Sequence, residues 1–197
     1  MTSLQLDRTA QDLLFRDART ANTFTDEPVS DEQIEAIYDL VKYAPTSANM
    51  QPLRVFLVRS AEAQDRLLKH MGDSNRDKVA NAPLVAILAA DTEFREHLPR
   101  VFPHAPGFKD LFHDDDKREQ TARFNAALQI GYFLLGIRAA GLAAGPMAGY
   151  DVQALDADFF PDGRFKSQLV VNIGNAGLNA WFDRLPRLGY DEVVTSV

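Results

Sequence analysis

Residues 119–140 read EQTARFNAALQIGYFLLGIRAA, and this stretch decides the fold. From Ala126 to Ile137 it is apolar almost all round. That pattern predicts a long helix, Glu119–Ala140, buried at the centre of a domain. Gly141 stands in the usual place for a left-handed cap. The nearly uncharged run Phe124–Ile137 is bounded by Arg123 and Arg138. It is shorter than the roughly 20 residues a membrane span needs, so no membrane partner is expected.

Upstream, Ser30 before Asp31-Glu32-Gln33 has capping-box spacing, and Ile34, Ile37, Tyr38 and Val41 recur at helical intervals. This helix should end near Ala44, because Pro45 disfavours helical geometry in the residue before it. A first helix is expected over Thr9–Ala18 and a short one over Glu62–Met71. Val55–Val58 and Leu84–Ala89 read as buried strands. Downstream, Asp151–Phe159 reads as a helix and Gln168–Ile173 as a third strand. Thr92–Arg118 has no clean period. The tail from Asn175 is too short for a domain, yet it carries Trp181, Phe182, Leu185, Leu188 and Tyr190. Those side chains must pack on their own body or on another subunit. Few strands, widely separated by helices, give a layered mixed α/β or α+β fold.

The chain has 197 residues, a length that favours one domain, 1–197, needing no disulfide or metal staple. It is 46% hydrophobic and 25% charged, which excludes a disordered or collagen-like chain. There are 28 acidic and 21 basic residues, a net charge of −7, which argues against a nucleic-acid partner. Any bound anion must be held by a few local cations. Cysteine is absent, so disulfides, thiolate metal sites and thiol nucleophiles are all excluded. Met1–Asp12 has no apolar core of a secretory signal, and a cytoplasmic location is expected. No metal is expected, because His70, His97, His104 and His113 lack ligand spacing.

The dinucleotide, Walker and nucleophile-elbow fingerprints are missing. What remains is five polar clusters at element ends. Asp17–Asn22 offers an arginine, a hydroxyl and an amide that could grip a phosphate, or it is a solvated helix exit. Pro45-Thr46-Ser47-Ala48-Asn49-Met50-Gln51-Pro52 carries amides that suit the edge of a heteroaromatic ring, or it is a turn. Asn75-Arg76-Asp77-Lys78, just before the second strand, reads on its own as a surface charge run. Gly145-Pro146-Met147-Ala148-Gly149 allows a flat ligand close to the backbone, or is a tight connection. Arg184-Leu185-Pro186-Arg187 reads also as a solvated tail.

Together, in this order, the five clusters resemble the flavin-dependent nitroreductases over most of the chain. The Pro45–Pro52 loop and the Gly145–Gly149 segment are the most specific pieces. Asp17–Thr20, Gly145–Tyr150, Asn172-Ile173-Gly174 and Arg184–Leu188 resemble the branch with a malonic semialdehyde reductase of pyrimidine utilisation. The resemblance implies an α+β fold: a central mostly antiparallel sheet flanked by helices, a long buried central helix, and a C-terminal extension on a dimer partner. It implies a homodimer with FMN at the interface and NADPH or NADH as co-substrate.

By that resemblance, Arg19, Thr20 and Asn22 lie at the FMN phosphate or ribityl chain, and Arg184 approaches the phosphate. Asn22 and Phe182 stand where relatives carry basic residues, and Arg187 would compensate. Asn75 and Lys78 face the pyrimidine end of the ring, where a cation favours the reduced, anionic flavin. Pro45, Thr46, Ser47, Asn49 and Gln51 come to the ring edge, supplied by the partner subunit. Pro146, Met147, Ala148 and Gly149 lie against the ring, with a backbone N–H near N5. The implied reaction passes a hydride from NAD(P)H through N5 to a small acceptor, with malonic semialdehyde going to 3-hydroxypropanoate. The alternatives are a broad reductase of nitroaromatics or quinones and a flavin-binding module without turnover. No side chain is identified as catalytic. Arg76, Arg95, Arg100, Lys109, Lys117 and Arg118 are candidates for a 2′-phosphate, and Thr92–Arg118 is either a lid or a surface excursion packed on itself.

Overall fold

The computed structural model describes residues 4–197. Four strands, β1 (Leu53–Val58), β2 (Leu84–Asp91), β3 (Ala143–Met147) and β4 (Phe165–Gly174), form one sheet in the order β1-β2-β4-β3. Every neighbouring pair is antiparallel. The helices are α1 (Arg8–Gln11), α2 (Asp31–Val41), α3 (Ala61–His70), α4 (Asp73–Ala80), α5 (Leu98–Val101), α6 (Asp115–Ala139), α7 (Val152–Phe159) and α8 (Tyr190–Val193).

Alternation along β2 sorts the core into two layers. Ala86 and Leu88 face α2 and α6, meeting Ile37, Val41, Ile130, Phe133 and Ile137. Val85, Ile87 and Ala89 face the other way, onto Leu67 of α3, Val79 of α4 and Leu155 of α7. The sheet is thus covered by helices on both faces. A third cluster joins Met50 and Ala90 to Phe94, Leu98, Phe112, Ala122 and Ala126.

Local signals set the element ends. The Ser30 side chain accepts from the Gln33 N–H and the Gln33 side chain accepts in return, so the capping box forms as read. Gly141 has φ +78, the left-handed cap expected after α6. α6 starts four residues earlier than its apolar pattern, because Asp114 caps it by accepting from the Lys117 N–H at 2.7 Å.

Four expectations need correction. The first helix is not one α-helix over Thr9–Ala18: α1 ends at Gln11 and continues as a π-helical turn, Asp12–Arg16. The run around Asn75 and Lys78 is α4, a helix so polar that only Val79 is buried and no period shows. Gly145-Pro146-Met147 lies in a strand, β3, and is not a tight connection. Glycine and proline hide a strand from pattern reading, and proline is tolerated here because β3 is a sheet edge. Finally, α6 is not buried all round: Phe124, Leu128 and Tyr132 are exposed on the side away from the sheet.

Thr92–Arg118 folds as short turns, the 3-10 segments Phe94–His97 and Pro106–Phe112 with α5 between. Phe102, Phe108 and Phe112 stack in series, at 5.4 and 5.6 Å between ring centroids. Arg118, buried, donates to the carbonyls of Thr92 and Phe112 and closes the segment on itself. Among the described residues, no helix is long and apolar enough to cross a membrane.

Candidate functional site

The chain leaving the first helix runs between β3 and the tail. The Ala21 N–H donates to the Ala144 carbonyl, and the Asn22 N–H to the Ala180 carbonyl, both at 2.9 Å. Two arginines fasten this seam reciprocally. Arg19 donates to the Phe182 carbonyl at 3.1 Å, while Arg184 donates to the carbonyls of Ala18, at 3.1 Å, and Arg16. Each guanidinium carries five N–H groups, so both retain donors toward solvent. The Thr20 hydroxyl has no partner among the described residues. Asn22 is spent internally, on Thr20 and Ala180 carbonyls. A groove of about 510 Å³ opens beside this seam, lined by Ala18, Arg19, Arg138, Ala144 and Trp181. The Arg138 Nε is buried without a partner, and burial pushes the guanidinium pKa down.

β3 leads from this cationic end to Gly149. From Ala144 to Met147 the strand spans roughly 10 Å, and the chain turns at Ala148, whose carbonyl accepts from the Tyr150 N–H at 3.1 Å. The Gly149 carbonyl accepts from the Gly72 N–H at 3.0 Å and from Asn75 Nδ2 at 3.2 Å. A Cβ on Gly149 would lie 2.7 Å from Asn75 Nδ2, so the contact requires glycine. Asn75 and Lys78 are three apart on α4 and share a face. Asn172, on β4, donates to the Lys78 carbonyl at 2.8 Å and leaves its own buried Oδ1 without a partner. Met147 points into the core, so only its backbone is available; Ala148 and Gly149 are exposed.

The Pro45–Pro52 loop is elsewhere. It precedes β1, while Gly149 follows β3, and these are opposite edges with two strands between, about 14 Å apart. No hydrogen bond among the described residues joins the loop to Arg19, Asn75, Lys78 or Gly149. Its backbone is unusual: Ala48, Asn49 and Gln51 have φ of +47, +50 and +45. Left-handed geometry costs a non-glycine residue about 1–2 kcal/mol, and such strain persists only where surroundings over-determine it. The Thr46 hydroxyl accepts from the Gln51 N–H at 3.2 Å. Asn49 Nδ2 donates to the Val101 carbonyl at 2.8 Å, and its Oδ1 accepts from Gln51 Nε2 at 2.8 Å. The Asn49 amide is therefore turned inward, whereas the Ser47 hydroxyl, the Ala48 N–H and Gln51 Oε1 remain unpartnered.

Arg19, Thr20 and Arg184 thus lie at the seam beside β3, Asn75 meets Gly149 beyond its end with Lys78 on the same helix, and the Pro45–Pro52 loop lies at the other sheet edge. Among the 2′-phosphate candidates, Arg76, Arg95 and Arg118 are held by carbonyls and carboxylates. Arg100, Lys109 and Lys117 form no ion pair among the described residues.

Sequence reasoning missed the buried polar residues behind the loop. Asp91 is fully buried and takes Arg54 at 2.7 Å and Arg164 at 2.9 Å; Arg54 donates on to the Gln51 carbonyl at 3.0 Å. Asn125 accepts from the Ser47 N–H at 2.7 Å, and Gln129 from the Leu53 N–H at 2.9 Å. Two amides four apart inside an otherwise apolar helix were a readable signal. No cluster of three or more His, Asp or Glu among the described residues could hold a metal.

The residues fit a flat, phosphate-bearing group: cations at one end of β3, a glycine with the Asn75 amide at the other, and Lys78 one turn along the helix that carries Asn75. The sequence pattern of the Nitroreductase family matches residues 16–175. A Streptomyces griseus protein with the provisional name NADH dehydrogenase/NAD(P)H nitroreductase is 61% identical over 196 residues, covering 99% of this chain and 100% of its own. A Caulobacter vibrioides protein of the same provisional name is 43% identical over 188 residues, 95% of this chain and 96% of its own. An Exiguobacterium sibiricum structure, provisionally called a nitroreductase and solved in complex with FMN, superposes with a TM-score of 0.84. It covers 100% of both chains at 19% identity. A Bacillus subtilis structure of the same provisional class gives 0.85 at 20% identity, covering 97% of this chain and 100% of its own. The fold is shared at that distance, and the matched pattern and the curated relatives extend the kinship to sequence: the chain belongs to the nitroreductase family.

Proposed function

We propose that this protein is an FMN-dependent NAD(P)H oxidoreductase, working as a homodimer of one-domain chains in which each flavin is held by half-sites from both copies. The observation that supports the reading is that Arg19 and Arg184 stand at the seam beside β3 and Asn75 at Gly149 beyond its end, while the Pro45–Pro52 loop stands before β1 at the opposite sheet edge. The family, the FMN-bound structural relative and the names of the 61%-identical relatives support it.

When bound, FMN supplies two-electron chemistry between NAD(P)H and an acceptor. The chain's own residues do the rest. Arg19, Thr20 and Arg184 take the phosphate by charge-assisted hydrogen bonds. Asn75 and Gly149 fix the heterocycle, and Lys78 sets its charge against the reduced, anionic form. Ser47, Ala48 and Gln51 of the second copy offer two donors and an acceptor to the ring edge. The dimer also accounts for exposed apolar surface: Phe124, Leu128 and Tyr132 on α6, and Trp181, Phe182, Leu185, Leu188 and Tyr190 in the tail. In a single chain the Phe182 ring is 72% exposed, although the tail's backbone is tied to its own body through Ala180 and Arg184.

The acceptor we propose is malonic semialdehyde, reduced to 3-hydroxypropanoate, on the resemblance of Asp17–Thr20, Gly145–Tyr150, Asn172–Gly174 and Arg184–Leu188. The second reading, a nitroaromatic or quinone reductase, is favoured by the relatives' names. A flavin store without turnover has no use for a lysine tuned to the reduced state. Product analysis with NADPH and malonic semialdehyde, beside a nitroarene control, tests the assignment. 3-Hydroxypropanoate formed faster than nitroarene is consumed supports the first acceptor; the reverse order selects the second, and no turnover of either ends both.

A further inference from the structure

We infer that Asn125 and Gln129 of α6 are positioning residues, clamping the left-handed loop Ala48–Gln51 in the conformation that presents it to the second copy's flavin. The clause about flavin rests on the proposed function; the clamp itself rests on geometry. Asn125 is 1% exposed and both ends of its amide are used. Its Oδ1 accepts from the Ser47 N–H at 2.7 Å, and its Nδ2 donates to the Thr121 carbonyl at 2.9 Å, which fixes the amide's orientation. Gln129, one helical turn on, accepts from the Leu53 N–H at 2.9 Å. The two side chains therefore grip the entry and the exit of the loop from one rigid helix. Between those grips lie three left-handed non-glycine residues, a conformation the loop sequence does not favour alone. Met50, buried at the loop centre in the third core cluster, resists inward collapse but sets no φ.

A buried amide whose only role is to satisfy backbone would not care about loop strain. A clamp would. The test is second-site relief: Ala48→Gly removes the Cβ that makes φ +47 costly. The parent, A48G, N125A and the N125A/A48G double variant are compared in FMN affinity and in amide exchange of the peptide 45–53. N125A should weaken FMN binding about tenfold and speed exchange of that peptide about tenfold relative to β2. Adding A48G should recover most of both losses. Should N125A not fold, A48V in the parent raises the strain from the loop side. It should speed the same exchange and weaken FMN binding, with little change in Tm. Losses that A48G leaves untouched, exchange faster throughout the chain, or an A48V protein like the parent would each overturn the clamp. A parent that binds no FMN would defeat the proposed function instead, and the exchange arm alone would then decide this inference.

Discussion

Replacing Asp91 by alanine should destabilise the protein by about 3 kcal/mol and loosen the loop that ends at β1. Asp91 is 0% exposed and accepts from Arg54 at 2.7 Å, from Arg164 at 2.9 and 3.1 Å, and from the Glu93 N–H at 3.0 Å. Breaking a buried ion pair costs about 3–5 kcal/mol when the partner stays buried. Here the arginine side chains are 29% and 30% exposed and can turn to water, so the lower end applies. A chain of 150–250 residues shifts in Tm by about 2–4 °C per kcal/mol, which gives a fall of about 6–12 °C. Urea unfolding and calorimetry of the FMN-free protein measure both. Because Arg54 also donates to the Gln51 carbonyl, amide exchange in 45–53 should rise with the same substitution. A Tm change below about 2 °C would refute the claim that this carboxylate ties β1, β2 and β4 together.

Three further outcomes are expected. Gly136→Ala should cost about 1–3 kcal/mol by urea unfolding, because its Cβ would lie 2.4 Å from Val41 Cγ1 and 3.1 Å from Ile37 Cγ2, where α6 crosses α2. The Asp158 carboxyl is held below its usual pKa, first by the Arg66 hydrogen bond and then by His70. Its contribution, about 1 kcal/mol, is therefore present above the unfolded pKa of about 3.9 and lost as pH falls through the lower folded value. The stability gap between parent and Asp158→Asn should close as the solution is taken into acid through the lowered carboxyl pKa, as read by urea midpoints across pH. Lys78→Gln should lower the two-electron potential of bound flavin by about 20–45 mV, equivalent to about 1–2 kcal/mol, in a spectroelectrochemical titration.

The strongly periodic elements were legible in the sequence. α2, with Ser30 and its apolar spacing, and β2, apolar from Leu84 to Ala90, appear where their residues place them. α4 was not legible, because a helix that buries one side chain leaves no period. β3 was hidden by Gly145 and Pro146, which only its edge position permits. The apolar girth of α6 pointed to burial all round, but sequence pattern does not say which chain covers a face. Phe124, Leu128 and Tyr132 are exposed in this chain.

Five polar clusters were legible in the sequence, and the structure places two of them, around Asn75 and Gly145, in a helix and a strand. Arg19 and Arg184 lie at the seam beside β3 and Asn75 meets Gly149 beyond its end, segments far apart in the chain. In sequence Asn49 looks free for a ring edge and Asn22 for the phosphate or ribityl chain, yet Asn49 Nδ2 donates to the Val101 carbonyl and Asn22 Nδ2 to the Ala180 carbonyl. The supports behind the loop, Asp91, Asn125 and Gln129, lie inside apolar runs where composition reads core. Only the geometry shows that the core there carries hydrogen bonds to a strained turn.

The central claim is that a bound flavin is reduced by NAD(P)H and then reoxidised by an acceptor. An anaerobic stopped-flow experiment on the purified yellow protein, following the flavin absorbance, tests it most directly. The account predicts that NADPH or NADH bleaches the band in a rapid first phase and that added acceptor restores it. A band that stays unchanged with both nucleotides would contradict it.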